Sequence, residues 1–372
     1  MSEDAKLGLT ETGVDSLVDR QPHARPLVSR VLKTARNPSR LDGASDSTKR
    51  LPPYRAPRWL PGGHAQTIHP FLLRRPQVRY RRERVETPDG DFWDLDWMDP
   101  SVAADGTATS ARPLVVLFHG LEGGSGSHYA RALMLHLASI GWRGVVPHFR
   151  GHPGAYHSGD YLEMEAMLTA IEQRMHGDSA AAPRYAVGVS LGGSVLLNWL
   201  GRAGRSAASL ISAAAAVSTP LDLVASRRAI DRGLNRMYSY HLRWTMRPKS
   251  FAMAARFPGL LDRERLRRAR TLREFDAAVT APLRGPSGTH DHWSQASSRR
   301  WLRHIGIPTL VLNALNDPFI PAASLPRQDE VAPHVLLEQP KTGGHAGFLT
   351  APFPGDLGWL PRRLVQFFMH AA

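Results

Sequence analysis

The pentapeptide Gly188-Val189-Ser190-Leu191-Gly192 decides the fold, because apolar segments of different kinds stand on either side of it. Residues 185–187 predict a short strand before it, and residues 194–200 predict the first turns of a helix after it. A strand, a sharp turn and a helix form the context in which a G-x-S-x-G sequence exposes its serine as a nucleophile. This interpretation predicts nucleophilic acyl chemistry at Ser190. In the alternative interpretation, the pentapeptide is an ordinary turn in a chain with 32 glycines.

Alternating strand and helix patterns extend in both directions from Ser190. The unbroken apolar run at 114–118 is typical of a strand buried on both faces of a parallel sheet. Further strands are predicted at 144–148, 184–189, 209–217, 308–314 and 335–339, and helices at 128–140, 161–175, 191–200 and 362–370. Segments 79–87 and 91–98 flank a Pro-Asp-Gly turn and predict a hairpin. The pattern predicts an α/β fold with a mostly parallel sheet, an N-terminal antiparallel hairpin and helices on both faces.

Composition divides the chain into three kinds of segment. Residues 1–55 lack hydrophobic periodicity and predict a weakly ordered N-terminal tail. Residues 221–300 are rich in arginine and aromatic residues, have helical periodicity and contain no clear strand pattern. We therefore expect an α/β core formed by 56–220 and 301–372, with 221–300 inserted as a helical cap over the carboxyl edge of the sheet.

The chain is strongly basic, with a net charge of +14, and all but five of its 47 lysine and arginine residues are arginine. Because the arginines are scattered and no nucleic-acid-binding motif accompanies them, we expect solvated faces and no nucleic acid partner. Weak association with an anionic membrane surface is left open. The absence of cysteine excludes disulfides, thiolate zinc sites and a cysteine nucleophile. The acidic start and the lack of a run of ~20 apolar residues predict a soluble cytoplasmic protein.

A serine nucleophile needs a base, and the base needs a carboxylate that orients it. In a sheet of this kind the three residues follow one another in the order Ser, acid, His. Asp317 and His345 occur in this order, each in a loop after one of the last two predicted strands. We predict Ser190, Asp317 and His345 as a catalytic triad. The second candidates are Asp291 for the acid and His334 for the base, although the position of His334 at a strand start favours a packing role.

The oxyanion of a tetrahedral intermediate needs two backbone donors. The N–H of Leu191, directly after the serine, is one predicted donor, and the N–H of Leu121, in the loop after strand 114–118, is the other. Gly120 permits the turn in that loop, and His119 is interpreted as a structural residue that orients it. This chemistry requires no metal ion and no cofactor, and we expect neither.

Several longer sequence elements resemble a known family. His119-Gly120-Leu121-Glu122-Gly123, the serine pentapeptide, Asn316-Asp317-Pro318-Phe319 and Gly344-His345 resemble the α/β-hydrolase superfamily. More specific elements are Gly62-Gly63-His64-Ala65-Gln66-Thr67, Pro88-Asp89-Gly90-Asp91-Phe92, Asp96-Trp97, Tyr156-His157-Ser158-Gly159 and Glu274-Phe275-Asp276. With these, the chain from about residue 59 to residue 367 is similar to the YheT-type hydrolases, relatives of the yeast medium-chain fatty-acid ethyl ester synthases and of animal abhydrolase-domain proteins.

The resemblance implies the α/β-hydrolase fold and carboxylesterase or acyltransferase activity on acyl esters, with the same triad. It also implies that Phe275 and Asp276 pack beside the site. Two positions depart from the family pattern: Asn316 stands where an acidic residue is usual, and His152 stands where a small residue or cysteine is typical.

The Gly-Gly-His-x-Gln-Thr element carries three further candidates. His64 is interpreted as a structural residue. Gln66 and Thr67 are candidates for lining an entry groove, and none of the three is included in the predicted triad.

We therefore predict a serine hydrolase that cleaves carboxylic esters of small molecules through an acyl-enzyme. One alternative is an acyltransferase that makes medium-chain fatty-acid esters with the same triad, since only the acceptor, water or alcohol, differs. The other alternative is a catalytically silent module that binds a lipid surface, because a fold does not determine function. The oligomeric state is not predicted.

Overall fold

A single mixed sheet organises the part of the chain that can be described. The computed structural model describes residues 51–371 except 74–76, 89, 101–111, 150–160, 176–180 and 285–288, and it describes only the backbone of 280–284 and 289–292. The strands are β1 Arg81–Glu86, β2 Phe92–Met98, β3 Leu114–Phe118, β4 Arg143–His148, β5 Arg184–Val189, β6 Ala213–Val217, β7 Thr309–Leu312 and β8 Val335–Glu338. Within the described residues they lie in the order β1-β2-β4-β3-β5-β6-β7-β8.

Helices cover both faces of this sheet and form a separate layer between β6 and β7. The helices are α1 Gly63–Leu72, α2 His128–Ser139, α3 Tyr161–Glu172, α4 Leu191–Ala203, α5 Leu223–Ile230, α6 Arg236–Arg256, α7 Arg263–Arg268, α8 Leu272–Arg284, α9 Thr289–Ala296 and α10 Trp359–Ala371. None of the helices in the described ranges combines the length and the apolar character needed to cross a bilayer.

The pairing of the strands agrees with the predicted sheet. β1 pairs antiparallel with β2, and β2 pairs antiparallel with β4. The pairs from β4 through β3, β5, β6 and β7 to β8 are parallel. The predicted fold class, a mostly parallel sheet that begins with an antiparallel pair, is confirmed.

Burial on both faces explains why β3 has no polar alternation. Leu114 and Val116 face a cluster that includes residues of α3 and α4, whereas Val115 and Leu117 face a cluster with residues of α2 and α10. Alternate side chains of a strand point to opposite faces, so an unbroken apolar run is what a sheet covered by helices on both sides requires.

The segment between β6 and β7 is helical, as its periodicity predicts, and we refer to it as the cap. Its place as an inserted cap domain stays a prediction. Helices α5 to α9 lie in this segment. Met253, Leu266 and Phe275 belong to an apolar cluster that is distinct from the two clusters of the sheet. The cap thus buries apolar surface of its own. The predicted domain bounds stay predictions, since the tail up to residue 50 lies outside the described residues.

Two elements differ from the sequence prediction by more than three residues. The strand expected at 209–217 begins only at Ala213, because residues 204–209 form a 3₁₀ helix whose Ala207 carbonyl accepts the N–H groups of Leu210 and Ile211. Helix α1 was not predicted, because it begins with glycine and contains Pro70, and both residues are poor helix formers. The family element at 156–159 and His152 lie outside the described residues.

Candidate active site

Ser190 occupies a strained turn between β5 and α4. Its φ of 54° and ψ of −120° lie outside the regions that side chains other than glycine usually adopt. The turn brings strand and helix so close that a Cβ on Gly188 would lie 2.6 Å from the Cα of Gly193. A glycine at position 188, two residues before the serine, is therefore required for the turn that exposes the hydroxyl.

A chain of hydrogen bonds joins the three predicted triad residues. His345 Nδ1 lies 2.8 Å from Asp317 Oδ2, and His345 Nε2 lies 3.0 Å from Ser190 Oγ. In the tautomer with the proton on Nδ1, that nitrogen donates to the Asp317 carboxylate and Nε2 can accept the serine hydroxyl. The Asp317 side chain is fully buried, and its Oδ1 accepts the N–H of Phe319 at 2.8 Å. The aspartate is thus fixed on both oxygens.

Helix α1 holds the loop that carries His345. Gln66 Oε1 accepts the N–H of Gly343 at 2.9 Å, and Thr67 Oγ1 accepts the N–H of His345 at 2.9 Å. Asn316 bridges the two loops, since its Nδ2 donates to Gln66 Oε1 and its Oδ1 accepts the N–H of Gly344. A carboxylate at position 316 lacks the donor for the first of these bonds, which gives a physical role to the departure from the family pattern.

These contacts were missed by reasoning from the sequence. Gln66 is buried in the α1 contact with the histidine loop, and Thr67 both touches that loop and lines the active-site cavity. The Gly-Gly-His-x-Gln-Thr element marked these two residues as candidates, but it did not indicate which loop they contact. His64 joins α1 to the cap, because its Nδ1 lies 3.2 Å from the hydroxyl of Tyr238.

The two predicted oxyanion donors adjoin Ser190. Leu191 is the first residue of α4, so its N–H has no partner within the helix. The loop after β3 approaches so closely that a Cβ on Gly120 would lie 3.0 Å from the Cβ of Ser190. Leu121 and Leu191 both line the cavity beside the serine. Their role as donors stays a prediction.

His119 braces the loop after β3 from inside. Its Nδ1 lies 2.9 Å from the carbonyl oxygen of Gly120, which can only accept, so Nδ1 carries the proton. Burial lowers the pKa of His119 to about 4. The ring is therefore neutral near pH 7, which agrees with a structural role in orienting the loop.

A cavity of about 680 Å³ adjoins Ser190 and His345. Core loops, α1, the β1–β2 hairpin and the cap all contribute to its wall. Apolar residues supplied by the cap are Leu223, Ile230, Leu242, Met246, Phe275 and Val279. This wall offers an apolar chain a place to bind next to the serine.

A polar cluster forms another part of the wall. The buried carboxylate of Asp96 accepts two hydrogen bonds from Arg82, both at 2.7 Å, and one each from Ser125 and His148. Burial alone would raise the pKa of Asp96, but these hydrogen bonds outweigh it and lower the pKa to about 2. Asp96 is thus ionised at neutral pH and holds Arg82 and His148, which line the cavity.

The remaining predicted residues lie as follows. Phe275 and Asp276 line the cavity, in agreement with the expectation that they pack beside the site. Asp291 lies within α9, but its side chain is outside the described part. The packing role favoured for His334 was wrong, because the residue lies in the turn before β8 and is exposed. Among the described residues no group of three His, Cys, Asp or Glu side chains is arranged to hold a metal ion.

Comparison with known proteins places this architecture in a family. The family model for the α/β hydrolase fold matches residues 113–352. The putative esterase YheT of Escherichia coli is 35% identical over 312 residues, covering 81% of this chain and 88% of that protein. The phospholipase ABHD3 of Mus musculus is 32% identical over 320 residues, covering 83% and 76%.

More distant matches extend the comparison. The monoacylglycerol lipase of Saccharomyces cerevisiae is 28% identical over 273 residues, covering 67% of this chain and 57% of that protein. A solved structure of an esterase from Pyrococcus furiosus has a TM-score of 0.50 at 16% identity, covering 79% and 91%, and shares the fold. The resemblance to YheT-type proteins and the prediction of a hydrolase enzyme are confirmed. The chain belongs to the α/β-hydrolase fold family.

Proposed function

We propose that this protein is a serine hydrolase of carboxylic esters in which Ser190 is the nucleophile. The observation that carries the proposal is the hydrogen-bonded series Asp317–His345–Ser190 beside an apolar-walled cavity. Relatives named esterase, phospholipase and lipase support ester cleavage as the reaction class. The proposed substrate is an ester with an apolar acyl chain, which matches the apolar wall supplied by the cap.

In the first half of the proposed reaction, Ser190 Oγ attacks the ester carbonyl carbon while His345 Nε2 takes the hydroxyl proton. The carbonyl oxygen becomes an oxyanion that accepts hydrogen bonds from the N–H groups of Leu121 and Leu191. Asp317 holds the tautomer of His345 and stabilises the imidazolium that forms. The bond to the leaving alcohol then breaks, and His345 Nε2 returns the proton to the alcohol oxygen.

In the second half, water attacks the acyl-serine. His345 Nε2 takes a proton from the water, and the same backbone N–H groups stabilise the second oxyanion. The bond between the acyl carbon and Ser190 Oγ breaks, the serine recovers its proton from His345, and the carboxylic acid leaves. The sequence of steps returns every residue to its initial protonation state.

The test replaces the nucleophile and a matched serine. Ser190→Ala removes the attacking oxygen, so kcat on p-nitrophenyl butyrate should fall by about 10³-fold or more. Ser194→Ala is the control, because Ser194 is buried in α4, the helix that follows Ser190, and its hydroxyl donates to the carbonyl of Pro220 at 2.7 Å. A fluorophosphonate probe should label the wild type and Ser194→Ala but not Ser190→Ala.

Two results would contradict the proposal. A Ser190→Ala variant with nearly the wild-type rate would remove the serine mechanism. A folded wild-type protein that the probe does not label would favour a silent binding module. An alcohol acceptor uses the same residues, so products are also analysed with ethanol present; more ethyl ester than free acid would make the protein an acyltransferase.

A further inference from the structure

The outer side of cap helix α6 carries a row of large exposed side chains. Successive residues of an α-helix are about 100° apart, so Met237, Tyr240 and Trp244 share one side. They are 53%, 64% and 64% exposed. Leu234, in the turn that leads into α6, is also exposed. We refer to Leu234, Met237, Tyr240 and Trp244 as the aromatic stripe. Contiguous exposed apolar side chains of this size mark interaction sites more often than ordinary surface.

Arginines flank one edge of the aromatic stripe. Arg243 and Arg247 of α6, with Arg267, Arg268 and Arg270 of the α7–α8 segment, line a depression that Tyr240 also borders. We refer to these five residues as the arginine cluster. Among the described residues, Glu264 pairs with Arg267 and Arg268, whose guanidinium groups are largely exposed. Asp231 and Glu274 act electrostatically on Arg243, so three carboxylates stand against five arginines. The depression therefore keeps an excess of positive charge.

The inner arginines of the cluster are held by backbone atoms and not by carboxylates. Arg243 Nη1 and Arg247 Nη2 both donate to the carbonyl of Ala269, at 3.1 and 2.7 Å. Within the described residues, the buried Nε–H groups of Arg243 and Arg247 have no hydrogen-bond partner. Guanidinium groups that are oriented but not directly ion-paired are suited to bind phosphate oxygens.

The other edge of the aromatic stripe borders the active-site cavity. Tyr238, Leu242 and Met246 of α6 line that cavity. Tyr238 and Leu242 lie about 100° or more around the helix from Arg243 and Arg247, whereas Met246 is about 60° from Arg243. His241, the residue after Tyr240, is exposed and also lines the cavity, so the aromatic stripe adjoins the cavity at this residue. Going round the helix, the order is arginine cluster, aromatic stripe, cavity wall.

We propose that this side of the cap docks onto an anionic lipid bilayer. The arginine cluster contacts lipid phosphates, and Tyr240 and Trp244 enter the interfacial region, where amphipathic aromatic side chains are most stable. A cationic edge beside an aromatic face is the pattern of helices that lie in a membrane interface. In this orientation the cavity side of α6 lies close to the lipid, so an acyl chain has a short path from bilayer to serine. The proposal goes beyond ester hydrolysis, because it concerns binding without substrate.

The test is vesicle co-sedimentation of the full-length chain without substrate. Vesicles of phosphatidylcholine with about one third phosphatidylglycerol should bind at least ~10-fold more tightly than phosphatidylcholine alone, and salt should weaken the difference. Arg267→Gln with Arg268→Gln should lower the affinity for anionic vesicles by ~10-fold or more. Tyr240→Ser with Trp244→Ser should weaken binding to both kinds of vesicle.

The matched control is Arg205→Gln with Arg362→Gln, which removes the same charge from exposed positions outside the cap. This control should keep nearly the wild-type affinity. Equal binding of the wild type to both vesicle types would overturn the proposal. So would an equal loss of affinity for anionic vesicles in the Arg267/Arg268 variant and in the Arg205/Arg362 control. So would a cluster variant that loses affinity for single-stranded RNA but not for vesicles, or self-association through the aromatic stripe. Because no substrate is present, each of these results leaves the proposed hydrolysis standing.

Discussion

The hydroxyl of Thr67 accepts the backbone N–H of His345 and donates to the carbonyl of Gly63 at 2.7 Å, so its replacement removes one bond to the histidine loop and one within α1. Thr67→Val keeps the shape but leaves the N–H without its acceptor, so the imidazole should lose its alignment with Ser190. Since small misplacements of a catalytic group are costly, we expect kcat on p-nitrophenyl butyrate to fall about 10-fold to 100-fold with KM little changed. Steady-state kinetics measures both.

Thr67→Ser provides the comparison, because serine supplies the same hydroxyl oxygen. It should restore kcat to within about 3-fold of the wild type, whereas a role in packing alone would make serine, which lacks the methyl group, more harmful than valine. A Thr67→Val enzyme in which KM rises while kcat is unchanged would mean that the hydroxyl serves substrate binding, and the positioning role would then be rejected.

Among individual residues, the sequence predicted the three side chains of the candidate site but not the residues whose hydrogen bonds hold the histidine loop in place. Ser190, Asp317 and His345 could be chosen because each has the right chemistry and follows a strand. Their hydrogen bonds are observed, and their catalytic roles stay predictions. The contacts of Gln66 and Thr67 join residues 277 and 278 positions apart, and no local pattern encodes such pairs.

Among the elements, α5, α8 and α9 of the cap are joined at one carboxylate. Asp276 pairs with Arg227 and accepts the indole N–H of Trp293 at 3.0 Å, and the Arg227 guanidinium lies 4.2 Å from the centre of the Trp293 ring. Asp276→Asn leaves a mostly buried guanidinium without its counter-charge. We expect a loss of about 1–3 kcal/mol, concentrated in the cap.

Hydrogen exchange measured by mass spectrometry tests this prediction. The Asp276→Asn variant should exchange faster than the wild type in residues 223–296, with a smaller increase in the sheet. The double variant Arg227→Gln with Asp276→Asn should recover part of the loss, because neither buried charge remains. Exchange that rises uniformly over the whole chain would show that the Asp276 contacts do not act on the cap as a unit.

Strands were easier to predict than helix ends or α1. β3 and β7 are recognisable because strands buried on both faces must be apolar throughout. The start of β6 was predicted too early, because a run of alanine and serine is compatible with strand, turn and helix alike. Helix α1 is stabilised by contacts with the histidine loop and not by its own helix propensity, so the sequence contains no local signal for it.

For the whole molecule, the buried His119 makes stability depend on pH. Its pKa is lowered by burial from 6.5 to about 4, so between these values the unfolded chain binds a proton that the folded chain does not. Stability should therefore fall as pH decreases through this window, by up to about 3 kcal/mol. Asp96, whose pKa is lowered to about 2, adds a further loss only below its ordinary value of 3.8.

His119→Asn separates these effects, since asparagine retains a donor for the Gly120 carbonyl but does not titrate. Urea unfolding compared between about pH 7 and about pH 4.5 should show a flatter dependence for the variant than for the wild type. Parallel curves for the two proteins would assign the acid sensitivity to other groups.

The hydrogen bond between Gln66 and Gly343 also joins two residues that are synthesised far apart in time. Translation at ordinary rates takes some tens of seconds to cover the 277 positions between them. Throughout that interval α1 has been synthesised, whereas the histidine loop that it contacts has not. Ser190 and the eight described strands are therefore synthesised before His345, and a product truncated before residue 343 lacks the loop that α1 contacts.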